Sequence, residues 1–404
     1  MPAVEALPSN VRLFHVGPPK TGTTALQAAL AASREDLVHH GVVYPGTGYN
    51  HRYEVAAVVG KTIGWKTRSD GRPRKPPSIE RWNRLVDEVR SHPHQRVVIS
   101  HEYAAGAGVQ AAQRIRDDMG ESLHVLVTLR SHSLMLPSIW QETNKAAGNR
   151  GTFDRWLKAA LEPGSDINQL VRRRHAQGEL IRRWAKVVGP ENVTAIILDP
   201  NEHGMVYRVV EQLLALPDGL LARSDTHAWT TNRSMTVPEL ELFRQFNRRF
   251  RAENTTWRQY DALLIKGGLE RVLGSRTPAQ CEPRLTMPDW AAEQADRISV
   301  REAEEVVASG VRVIGDPAHL MQPAKRRTDA AEDHRQVSQV PIDLAVEAMV
   351  GISAAALLRD ARFSQPHPTA LGVMLQQVPA RELLAELGRR GRRGTRRWTR
   401  LGRG

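Results

Sequence analysis

The feature that most limits the fold of this chain is a glycine-bounded loop placed between two apolar segments. Residues 11–30 read VRLFHVGPPKTGTTALQAAL. The first apolar run predicts a strand, and the apolar spacing in TTALQAALAA predicts a helix. Strand, tight loop and helix in succession turn the first helical N–H groups, and the positive end of the helix dipole, toward whatever the loop encloses. That arrangement binds phosphate. Gly17 and Gly22 keep the G-x-x-x-x-G spacing of an ATPase loop, in which lysine follows the second glycine. Here Lys20 lies inside the loop and Thr23 takes the usual lysine position.

The rest of the chain supplies a sheet for such a loop. GVVYPG reads as a short extended piece closed by turn residues, and residues 64–78 as a basic loop rich in Lys, Arg, Pro and Gly. SIERWNRLVDEVRS puts Ile79, Trp82, Leu85, Val86 and Val89 on one helical face. RVVIS, ending at Ser100, and LHVLVTLR, ending at Arg130, read as buried strands. VQAAQRIRDDMG is the crossover helix between them, closed at Gly120. ELIRRWAKVVG then reads as a helix and NVTAIILD as a further strand. This alternation predicts an α/β fold with a P-loop-type central parallel sheet flanked by helices. Beyond about residue 235 the pattern is mostly helical, interrupted by a polar stretch. The expected organisation is an α/β domain over residues 1–320, a polar linker at 321–341, a helical C-terminal segment at 342–388 and a basic tail at 389–404. In parallel sheets ligands bind beyond the carboxyl ends of the strands. Residues 17–24, 100–103 and 130–138 all fall at such ends.

Bulk composition excludes several classes. Hydrophobic residues make up 41% of the 404 and charged residues 25%, as in globular proteins generally. No apolar run reaches the roughly 18 to 20 residues of a membrane span. The first residues lack the basic and apolar regions of a signal peptide. Cys281 is the only cysteine, so neither a disulfide within the chain nor a thiolate metal cluster can form, and the cytoplasm is the simplest address. The net charge of +13 invites a nucleic-acid reading, but eight arginines between Arg389 and Arg403 account for most of it; without them +5 remains. The tail reads as solvated and flexible, with a membrane surface, RNA or an acidic partner within its reach, and no specific nucleic-acid function is inferred from it. His39, His40, His92 and His94 lack ligand spacing and read as surface residues. The tryptophans from Trp65 to Trp257, with Trp229 among them, read as core and cleft lining.

A mid-loop lysine followed by T-G-T-T still offers a nest of N–H groups and two hydroxyls to phosphate oxygens. An assured magnesium site is missing, which a triphosphate would bring with it. Asp199 at the end of AIILD has the look of a second metal anchor, but an acid after four apolar residues is common at strand ends. The loop resembles the phosphosulfate loop of sulfotransferases that use 3′-phosphoadenosine 5′-phosphosulfate (PAPS), typically P-K-[ST]-G-[ST]-[ST] followed by an apolar residue and Leu. Pro19, Lys20, Thr21, Gly22, Thr23 and Thr24 match it in order. The family's second signature is a strand-end Arg with a Ser eight residues on, and VTLRSHSLMLPS supplies Arg130 and Ser138. The resemblance spans about residues 11–250; TTNRS, residues 230–234, looks like the family's N-x-S element, whereas IKGG at 265–268 is a poor match to its glycine-rich adenine segment.

What the resemblance implies is sulfonate transfer from PAPS to a hydroxyl or amine, with adenosine 3′,5′-bisphosphate as product and no metal required. Lys20 would face the bridging oxygen, where charge grows as the bond breaks. Arg130 and Ser138 would grip the 3′-phosphate, which a guanidinium fork and a hydroxyl can do on physical grounds alone. A base must also take the acceptor's proton. The family places a His or a Glu near the end of the preceding strand, and VVISHEY offers both His101 and Glu102, with a narrow preference for His101. The acceptor, a small molecule, lipid or carbohydrate, is not encoded in these motifs. Two readings from other classes compete: a small-molecule or nucleotide kinase using ATP and Mg through Thr23, Thr24 and Asp199, and a non-catalytic nucleic-acid binder driven by the tail.

Overall fold

The computed structural model describes residues 4–67, 71–145, 151–202, 204–222, 233–250, 256–327, 337 and 339–363. Strands β1 (Arg12–His15), β2 (Val42–Val43), β3 (Arg96–Ser100), β4 (Leu123–Leu129), β5 (Val193–Ile197) and β6 (Arg312–Ile314) form one sheet in the order β2-β3-β1-β4-β5-β6. Every pairing is parallel. The central strands are almost wholly buried, as apolar strands covered on both faces must be. Successive residues point to opposite faces. Phe14, Ile99, Val127 and Ile197 meet helices Glu80–Arg90, Val109–Met119 and Gln177–Val188 on one side, where Trp82 and Trp184 are fully buried. Leu13, Val98, Leu126 and Ile196 meet helices Thr23–Ala32 and Met205–Leu214 on the other.

The fold class read from sequence is the one observed. The strand that sequence patterning missed is β6, three residues at the sheet edge within the mostly helical C-terminal part. Trp140 and Trp156 are buried and Trp65 and Trp257 meet edge to face at 5.9 Å, while Trp229 lies outside the described residues. Among the described residues no helix is long and apolar enough to cross a membrane. Residues 328–336 and 338 of the polar stretch, residues 364–388 of the expected helical segment and the basic tail also lie outside them.

The last described helix, Ile342–Phe363, packs against residues 257–275. A Cβ on Gly267 would stand 2.8 Å from the Gly351 carbonyl oxygen and 2.9 Å from Ala355 Cβ. The glycines of IKGG therefore let two helices touch backbone to backbone. Beside them the buried Arg276 guanidinium donates to Asp343 Oδ2 at 2.6 Å and to Glu239 Oε1 at 2.8 Å, and also contacts Glu282.

His15, His51, His101, His132 and His175 are buried, and burial above all pushes their imidazoles from 6.5 down to about 3 or 4. The unfolded chain would bind protons at these rings that the folded chain refuses. Stability is thus fully present above about pH 6.5 and is lost as pH falls toward 4. The melting temperature should drop across that window. A flat profile would show that the rings are not held neutral.

Candidate active site

The carboxyl ends of three neighbouring strands carry the residues singled out from sequence. The phosphate-loop residues follow β1, His101 and Glu102 follow β3 on one flank, and Arg130 follows β4 on the other. Strands are about 4.8 Å apart, so the two flanks are separated by roughly 10 Å with the loop between them. The chain runs from β1 to β2 and β3 on one side and then crosses to β4 on the other. That reversal is where open parallel sheets bind ligands.

The loop is held from below by a buried ladder. Thr21 Oγ1 donates to the Pro18 carbonyl at 2.7 Å, which leaves it to accept from Thr128 Oγ1 at 2.7 Å. His15 Nε2 then donates to Thr128 Oγ1 at 3.2 Å, and its Nδ1 accepts from Ser100 Oγ at 2.8 Å. Ser100 Oγ in turn accepts from Gln27 Nε2 at 3.2 Å, and Asn50 Nδ2 donates to Gln27 Oε1 at 2.9 Å. The direction of every bond follows from the first, and it requires a neutral His15 protonated on Nε2, in accord with its low pKa of about 3. Gly17 lies over this ladder. A Cβ there would stand 2.6 Å from Thr23 Cγ2 and 2.9 Å from His15 Nε2, and would collide with Thr128 Oγ1.

Within the loop, Lys20 and Gly22 both take left-handed backbone angles, φ 76° and 77°. For a lysine this costs on the order of 1 kcal/mol, so the ladder and the flanking Pro18 and Pro19 must impose it. Thr23 opens the helix and is buried, whereas Thr24 hydrogen-bonds the Tyr49 phenol. Lys20 Nζ lies 3.2 Å from Glu142 Oε2, on helix His132–Lys145, and Lys145 Nζ is 3.8 Å from the same oxygen. Burial disfavours the Glu142 carboxylate, but Lys20 and Lys145 outweigh it and hold the group below its usual range. Ser138 lies one helical turn before Glu142, on the same face.

Arg130 is half-buried, and among the described residues its guanidinium has no hydrogen-bond or ion-pair partner; its backbone is fixed by Gln177, which accepts from Arg130 N at 3.0 Å and donates to its carbonyl at 2.8 Å. On the opposite flank, His101 Nδ1 accepts the Tyr103 N–H at 3.1 Å and its Nε2 lies 3.5 Å from Glu102 Oε2. Both ring nitrogens are occupied and the side chain is 1% exposed, against 26% for Glu102. Burial pushes the His101 imidazole down to about 3 and the Glu102 carboxyl up from the ordinary glutamate value. Glu102 also hydrogen-bonds Gln27 and feels the charge of Glu142, which ties it to the loop and to Lys20's partner. The narrow preference for His101 from sequence thus meets a geometry that favours Glu102.

Asp199 accepts from Asn201 N at 2.8 Å and lies 3.9 Å from His319, and among the described residues no group of three His, Cys, Asp or Glu side chains converges as a metal site. His39, His40 and His94 are exposed. Of the N-x-S element only Arg233 and Ser234 are described; Arg233 pairs with Glu239 at 2.7 Å. Glu142 and Gln177 escaped sequence reading, because only the fold brings them to Lys20 and Arg130.

No family model and no curated protein matches the chain. Among solved structures it is similar to a crystal structure of a sulfotransferase from Alicyclobacillus acidocaldarius, at 18% identity and a TM-score of 0.38, over 60% of this chain and 95% of that one. So loose a superposition carries no functional weight, and the functional reading rests on the geometry above.

Proposed function

We propose that this chain is an enzyme that transfers the sulfonate group of PAPS to a hydroxyl or amine acceptor. The observation that supports it most is the place of Lys20: a cation inside the loop, in a left-handed conformation, whose Nζ pairs with Glu142, a carboxylate whose charge is felt at Glu102. The residues fit the donor. The loop's N–H groups and hydroxyls would take the phosphate next to the sulfonate, and the unpartnered Arg130, with Ser138, would take the 3′-phosphate on the far flank. The acceptor would enter on the Glu102 flank. Its oxygen would attack sulfur, its proton would pass to a Glu102 oxygen, and the bond from sulfur to the bridging oxygen would break with Lys20 against the departing charge.

The donor class is tested by thermal shift with adenosine 3′,5′-bisphosphate, which should raise the melting point by several degrees because it binds only the folded chain. No shift counts against the reading, and transfer that stops in EDTA favours the kinase instead. Arg130→Ala and Ser138→Ala should each weaken this ligand more than adenosine 5′-monophosphate, since a lost charge-assisted bond costs roughly 1.5 to 3 kcal/mol. Equal losses for the two ligands would remove the 3′-phosphate role. Glu142→Gln should act in the other direction. It frees Lys20 from a half-exposed pair worth about 0.2 to 1 kcal/mol, so adenosine 3′,5′-bisphosphate should bind up to about fivefold tighter by calorimetry. Weaker binding would mean that Glu142 supports the loop instead of competing for its lysine.

A further inference from the structure

The short helical turn Glu102–Gly106 that follows β3 is surrounded by cations whose balance the donor site does not explain. Lys61 Nζ sits 4.7 Å from the centre of the Tyr103 ring, and Arg52 Cζ sits 6.0 Å from it. The stem of Arg174 passes 3.5 Å from the position a Cβ on Gly106 would take. All three side chains are half-buried, and among the described residues none makes an ion pair within 4.0 Å. Two further arginines on this turn have structural partners, since Arg173 donates to the Gly106 carbonyl at 2.9 Å and Arg183 to the Ala105 carbonyl at 2.6 Å. Arg52 hydrogen-bonds the Tyr103 side chain, while Lys61 and Arg174 have no such partner among the described residues. The acidic neighbour shared by all three is Glu102, which faces His101.

Like charges brought together out of water repel, and Lys61 shows it: burial first, then Arg174 and Lys66, pushes Lys61 down to about 8, whereas at Arg52 burial is outweighed by the Tyr103, Tyr53 and Glu102 side chains, which raise the guanidinium. A ring face eases this for the cations over Tyr103 but supplies no net negative charge. An anion would. The cluster lies on the Glu102 flank of the loop, across β1 from Arg130, so the donor's 3′-phosphate is not that anion.

We propose that Arg52, Lys61 and Arg174 form an anion subsite around Tyr103, and that the acceptor is a hydroxyl compound carrying a carboxylate or phosphate close to the hydroxyl it presents to Glu102. The assignment of this flank to the acceptor rests on the sulfonate-transfer reading; the subsite itself does not. The anion would dock between the three cations, and the ring of Tyr103 would hold two of them in place while the neighbouring hydroxyl meets the carboxylate.

The test measures direct binding, by calorimetry on the full chain, of three matched probes: 4-methylumbelliferyl glucoside, its glucuronide and its 6-phosphoglucoside. At least one anionic probe should bind about tenfold more tightly than the glucoside, and which one separates carboxylate from phosphate. The Lys61→Gln, Arg174→Gln double variant should lose that preference to within roughly twofold, while adenosine 3′,5′-bisphosphate binds as before and so reports an intact fold. Equal binding of the three probes, no binding of any at millimolar concentration, or a preference that survives in the double variant overturns the subsite. An anion preference lost in the variant, in a protein that never binds adenosine 3′,5′-bisphosphate, upholds the subsite and removes the donor reading.

Discussion

Lys20→Ala is expected to lower turnover by about 10² to 10³ while leaving the melting temperature nearly unchanged. The size follows from where charge develops. Under the proposed reaction the bridging oxygen gains a negative charge that the resting donor lacks, and a fixed ammonium beside it favours the transition state over the ground state. The effect on stability should be small for two reasons. The variant loses one partly exposed ion pair with Glu142, worth little, and keeps the left-handed backbone that the ladder enforces. Pre-steady-state transfer from PAPS would check the prediction directly. Wild-type turnover in this variant would remove Lys20 from the chemistry, and a collapse in melting temperature would make it a structural residue.

Glu102→Gln is expected to lower turnover by about 10² to 10⁴, the range over which a positioned general base contributes. Burial raises the Glu102 carboxyl above the ordinary glutamate value, so the active, ionised form is lost at a higher pH than usual as the solution is acidified. The acidic limb of the rate profile should therefore lie above the glutamate range in the native protein and vanish in the variant. His101→Ala should cost less and should shift that limb instead of abolishing it, because His101 acts through the carboxylate that its Nε2 faces. The reverse pattern, a dead His101→Ala beside an active Glu102→Gln, would make the imidazole the base. Measured donor affinity should hold in both, since the loop and Arg130 stand on other strands.

Much of this architecture is legible in the chain because each local signal agrees with the fold. Strands such as LHVLVTL, apolar at five of seven positions, have too little polar surface to face water, so they lie in the middle of a sheet. The apolar face Trp82, Leu85, Val86 and Val89 has nowhere to go but onto that sheet. β6 is not legible, since three residues led by an arginine carry no periodicity and become a strand only by pairing with β5. The same limit hides Glu142 and Arg174. Helix propensity places each on a helix, but the partner that gives it meaning is more than sixty residues away in sequence. Between His101 and Glu102 the sequence supports only a narrow preference for His101, because the difference is which side chain the turn after β3 buries.

The helix Ile342–Phe363 also governs how the protein can be handled. Before it lies a polar stretch that reads as the natural place to shorten the chain. A protein ended there would leave Arg276 inside the fold with one fewer carboxylate, and would open to water the face that Leu264 and Leu269 present beside Gly267 and Gly268. Such a trimmed form would be prone to self-association through that uncovered seam. The helix belongs to the body it covers.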